Sequence, residues 1–108
     1  MKPALAKNGD PKVIVWKGYK LKETYSTSRT CHYYLNLGQF RVQLQHLSKV
    51  KWHTEMHVYG LSTMETRVCE DLREVNDLLN YCYIGLLSLA KDAVKELEDQ
   101  IGISSDEE

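Results

Sequence analysis

The chain reads as an α+β domain, a four-stranded antiparallel β-meander followed by a long C-terminal helix, and three observations predict this. From Val13 to Tyr59 the runs are rich in Val, Tyr, Trp, Thr and Leu, and apolar residues alternate with polar ones at a period of two. At "GLSTMET" the period changes abruptly to about 3.6. A length of 108 residues, 43% apolar and 27% charged, fits one globular core and leaves no room for a second.

Residues 1–11, with both prolines, read as a flexible lead-in. The domain spans 12–103, with the sheet in 12–60 and the helix in 62–101, and an acidic tail follows at 104–108. Four runs supply the strands: "VIVWKGYKLKETY", "TCHYYLNL", "QFRVQLQHL" and "WHTEMHVY". Short connections between them imply hairpins. A Gly-X turn at Gly38-Gln39 pairs Leu37 with Phe40, Leu35 with Val42, Tyr33 with Leu44 and Cys31 with His46, all on one mostly apolar face. The other face then carries Asn36 with Arg41, Tyr34 with Gln43, and His32 with Gln45. A three-residue connection at Lys49-Val50-Lys51 extends the pattern, pairing Leu44 with Met56, Val42 with Val58, Gln45 with Glu55 and Gln43 with His57.

Ser62 with Glu65 three residues on matches a capping box and predicts the helix start. Apolar residues recur at Val68, Leu72, Val75, Leu79, Cys82, Leu86, Leu89 and Ala93, the 4-3 spacing of a coiled-coil seam. Gly102 suits the helix end. A helix from 63 to 101 would be about 58 Å long, whereas a domain of this size has a radius of gyration of about 13 Å. It is therefore either broken into a hairpin at Gly85 or projects to meet another chain. The uncharged run "LLNYCYIGLLSLA" needs cover all round, and the sheet covers one side only. Self-association follows as the expectation, a homodimer or higher, through Val75, Leu79, Cys82, Leu86, Leu89 and Ala93.

The net charge of −1 hides an asymmetry. Residues 1–61 carry ten Lys/Arg against three acids, and residues 62–108 carry four against twelve. Either the first half faces an anionic partner or the two halves neutralise each other. Three cysteines, Cys31, Cys69 and Cys82, show no regular spacing, which suits reduced thiols in the cytoplasm. "MKPALAKNGDPK" has no apolar h-region, so neither secretion nor a membrane partner is expected.

"WHTEMH" holds two histidines and a glutamate within six residues. On a strand, His53 and His57 stand about 13 Å apart, too far to share one tetrahedral ion with bonds of about 2 Å. A metal-dependent enzyme using His32, His53, Glu55 and His57 is thus the weakest reading, and no metal or other cofactor is expected. No nucleophile accompanied by a base and no phosphate-binding Gly-rich loop is present. His46, on the apolar face, reads as a core or rim histidine.

What remains is a polar sheet face: His32, Tyr34, Asn36, Arg41, Gln43, Gln45, His53, Glu55, His57 and Tyr59. Amides, imidazoles and phenols on a rigid sheet suit hydrogen bonding and stacking. The expected function is a small non-enzymatic binding or inhibitor module, self-associating, that binds a protein or small anionic ligand on this face or in an inter-subunit groove. Phage and mobile-element accessory proteins are of this type. The alternative is a nucleic-acid or nucleotide binder, for which Trp16, Tyr19 and Tyr25 interleave with Lys17, Lys20 and Lys22.

Overall fold

A computed structural model describes residues 4–102; the acidic tail expected at 104–108 lies outside them. The fold is α+β, an antiparallel sheet and one long C-terminal helix, but the sheet has six strands rather than four. In chain order these are β1 (Val13–Trp16), β2 (Tyr19–Ser26), β3 (Cys31–Leu37), β4 (Phe40–Ser48), β5 (Lys51–Val58) and β6 (Leu61–Val68), followed by α1 (Leu72–Gln100). Spatial order equals chain order, so every connection is a hairpin.

Both additional strands arise from two-residue turns. "VIVWKGYKLKETY" folds back at Lys17-Gly18, and β5 returns as β6 at Tyr59-Gly60; in each turn both residues have positive φ, 52° and 79° in the first, 48° and 82° in the second. This is the type I′ geometry whose twist matches the flanking strands. Glycine takes it freely, whereas Lys17 and Tyr59 are unusual there. The Gly38-Gln39 turn is as expected, and the β3–β4 register agrees pair for pair with the alternation. The β4–β5 register does not: Val42 pairs with Met56, Leu44 with Thr54, Gln43 with Glu55 and Gln45 with His53. A bulge between His46 and Ser48 absorbs a residue, and the strands turn at Lys49-Val50. The slip is two residues, so every side chain keeps its face.

Residues 62–68 are strand, not helix. "LSTMETRV" pairs with β5 along its whole length, with Ser62, Met64, Thr66 and Val68 exposed and Leu61, Thr63, Glu65 and Arg67 half-buried. The helix starts nine residues later than the Ser62 signal suggests. Asp71 is its N-cap, accepting from the Glu74 N–H at 3.0 Å, while Glu74 Oε2 accepts from the Glu70 N–H at 2.9 Å. The helix runs unbroken through Gly85 and ends as the Ile101 N–H bonds the Leu97 carbonyl.

The helix lies on the inner sheet face against β5 and β6, burying Val75, Leu78, Leu79, Cys82 and Leu86 against Leu44, Met56, Trp52 and Thr54. Thr54 is fully buried, and its hydroxyl donates to the Gln43 carbonyl. The first strand reaches the same helix, because Trp16 packs edge-on against Tyr83 at 5.4 Å and its indole N–H donates to Asn80. The sheet therefore curls around its helix.

Residues 4–11 form a strap rather than a loose lead-in. Leu5 bridges Pro11, Ala6 is buried, and the Pro11 carbonyl accepts from the Tyr33 hydroxyl at 2.6 Å. Asp10 contacts the His46 ring, which stacks on Trp52 at 4.1 Å. His46 is thus a satisfied rim residue on the inner face. No described helix is long and apolar enough to cross a membrane.

Candidate functional site: the outer sheet face

Strand pairing assembles the polar side chains into rows across the sheet. Tyr25, His32, Gln45, His53 and Thr66 form one row, and Lys22, Tyr34, Gln43, Glu55 and Met64 the next. A third row consists of Asn36, Arg41, His57 and Ser62. Nine of the ten residues expected on this face are therefore neighbours on it. Tyr59 is not on a strand; it sits in the β5–β6 turn, 77% exposed, at the rim.

Glu55 is the one carboxylate that the described strands turn outward, and two imidazoles bracket it. His53 Nε2 lies 3.2 Å from Oε1 and His57 Nε2 3.4 Å from Oε2. The hydrogen bond from His53, helped by that from His57, holds the Glu55 carboxyl below its usual range against the opposing effect of partial burial. The other ring nitrogen of His53 is 2.6 Å from the Thr66 hydroxyl, which fixes the ring orientation. His53, Glu55 and His57 thus satisfy one another along a single strand. Among the described residues no three His, Cys, Asp or Glu side chains are placed to hold a metal ion. The three thiols are buried, and desolvation pushes each above its ordinary pKa, the opposite of an activated nucleophile.

At one end of the face, Tyr34, Asn36, Arg41, His57, Tyr59 and Gly60 line a shallow, mostly polar depression of about 290 Å³. The Asn36 side-chain oxygen accepts from the Gly38 N–H, and Arg41 forms no ion pair among the described residues. A guanidinium, an imidazole and an amide in one cross-strand row can take an oxyanion.

The alternation along β2 adds residues that sequence reasoning left off this face. Lys22 pairs with Tyr34, Lys20 lies two residues back on the same side, and Lys51 shares the side of His53. Tyr25, past a bulge at Thr24, is exposed and stands edge-on to His32 at 5.5 Å. The missing signal was the Lys17-Gly18 turn, which sets the phase of β2. Lys17 itself is elsewhere, its ammonium 5.0 Å from the Tyr83 ring centre.

Of the six residues expected to join subunits, Val75, Leu79, Cys82 and Leu86 are buried against the chain's own sheet. A side chain already without solvent contact has no surface left to offer a partner. Only Leu89 and Ala93 are exposed. Comparison with known proteins yields no match: no protein-family model, no curated protein and no solved structure is significantly similar to this chain.

Proposed function

We propose that this chain is a non-enzymatic, self-associating binding module whose outer sheet face takes an anionic ligand, either a small molecule or an acidic segment of another protein. One observation carries the reading. Among the described residues the two charge sets are not paired with each other: every ion pair is local or involves histidine, and none joins a Lys or Arg of residues 1–61 to an acid of residues 62–108. Lys20, Lys22, Arg41 and Lys51 share the outer face with one engaged carboxylate, while the acidic helix packs on the opposite face. The two charge sets are separated by the thickness of the sheet, so the helix does not repel an anion from the outer face.

The centre of the site is the Asn36, Arg41 and His57 row. Titration of the protein with inorganic phosphate and with a short acidic peptide, followed by amide chemical shifts, tests it. Shifts concentrated at Arg41, His57 and Tyr59, and lost in Arg41→Ala while the spectrum stays folded, support the reading. Binding that persists in Arg41→Ala, or shifts confined to the helix, would overturn it.

A second reading, single-stranded nucleic acid, is favoured by Tyr25, His32 and Tyr34 lying beside Lys20 and Lys22. Tyr25 is exposed and His32 and Tyr34 are half-buried; aromatic stacking is worth about 1–3 kcal/mol per base, and the lysines would follow the backbone. An oligothymidylate probe distinguishes the two. Affinity that falls steeply with salt and drops in Tyr34→Ala marks a nucleic-acid face, and no binding at low salt excludes it.

A further inference from the structure

Past Leu86 the helix has no buried residue, yet it is not polar all round. Leu87, Val94, Leu97 and Ile101 are 50%, 56%, 56% and 57% exposed. Together with Ala90 they recur at a 3-4-3-4 spacing, the a/d pattern of a coiled coil, with Leu87, Val94 and Ile101 at a and Ala90 and Leu97 at d. This stripe is distinct from the one buried against the sheet. The 29-residue helix is about 43 Å long, whereas its buried residues, Val75 to Leu86, span less than half of that length. The stripe therefore lies on an overhang that no part of the described chain covers.

Charge placement says what does. Lys91 and Glu98 both occupy position e, directly beside the stripe, and neither makes an ion pair within the described chain. Position e faces its own equivalent when two helices run antiparallel. We infer that the occupant is a second copy of this chain, whose helix runs antiparallel across the overhang, with Val94 against the second copy's Leu97 and Ala90 against its Ile101. Each Lys91 then meets the other copy's Glu98, and two-fold symmetry makes both pairs at once. A parallel pair would instead set position g, Ala93 and Gln100, against position e and leave both charges without a partner. Asp92, Lys95, Glu96 and Asp99 take the remaining, solvent-facing positions.

Such an interface is short. It buries on the order of 1,000 Å², the low end for a specific contact, so a micromolar dimer is expected rather than an inseparable one. The inference rests on the self-association reading above and moves its site from the buried stripe to the overhang.

Sedimentation equilibrium of the full chain up to about 200 µM, well above a micromolar dissociation constant, tests both. A monomer at that concentration overturns self-association as well as this interface; if that monomer co-sediments with lipid vesicles, the stripe belongs to a membrane surface. A dimer unaffected by Val94→Asp with Leu97→Asp keeps self-association and overturns only the placement. The placement predicts at least a hundredfold weaker dimer for that variant, with its circular dichroism unchanged because both side chains are exposed. Lys91→Glu and Glu98→Lys should each weaken the dimer by about tenfold, and combining them should restore it. Single changes without effect would overturn the antiparallel arrangement.

Discussion

The Trp16 indole N–H donates to the Asn80 side-chain oxygen at 2.8 Å across 64 positions of sequence, tying the first strand to the helix. Trp16 is 1% exposed, while β1 pairs only with β2. This contact and the T-shaped packing on Tyr83 are what bring the β1 edge of the sheet to α1.

Trp16→Phe keeps a ring in the core and removes the donor. Because Asn80 is exposed and can turn to water, the cost should be about 1 kcal/mol for the lost hydrogen bond plus a similar amount for the smaller ring. Trp16→Ala should cost about 3–5 kcal/mol. Urea unfolding of the two variants checks this, and equal costs would show that the N–H contributes more than the packing.

The two capping signals give opposite forecasts. Asp71→Ala should destabilise by about 1 kcal/mol, because it orphans the Glu74 N–H at the true helix start. Ser62→Ala lies on the exposed side of β6 and should stay within about 0.5 kcal/mol of the parent. Thermal melts of the pair locate the helix start without a structure.

Glu55 predicts a pH dependence of stability. Its carboxyl sits below the ordinary value of 4.5 because His53 and His57 hold the ionised form. A carboxylate with a lowered folded-state pKa binds fewer protons folded than unfolded, so its contribution is complete above about pH 4.5 and is lost as pH falls through the folded value. The melting temperature of Glu55→Gln should therefore lie below that of the parent at pH 6, and the gap should narrow as the pH falls below about 4.5. A gap that widens on acidification would mean the histidines destabilise the carboxylate.

Much of this architecture was legible in the sequence where a local rule had one solution. The period of two put Cys31, Tyr33, Leu35 and Leu37 on one face, and the two-residue Gly38-Gln39 turn determined the β3–β4 register by setting them opposite His46, Leu44, Val42 and Phe40. The outer-face residues from His32 to His57 followed from the same alternation, and a two-residue slip in β4–β5 could not disturb them. The turns at Lys17-Gly18 and Tyr59-Gly60 were not legible, since the positive φ that makes them turns is held by a Lys and a Tyr that rarely adopt it alone. β6 was hidden because its half-polar alternation carries Ser62 and Glu65 at capping-box spacing, and only its pairing with β5 decides between strand and helix. The apolar 4-3 stripe of α1 was visible from the start. What it packs against was not, because a seam buried on the chain's own sheet and one buried on another chain need the same residues. Only the tertiary structure, by laying Val75 to Leu86 on β5 and β6 and leaving Leu87 to Ile101 beyond them, decided which part of the helix is core and which remains surface.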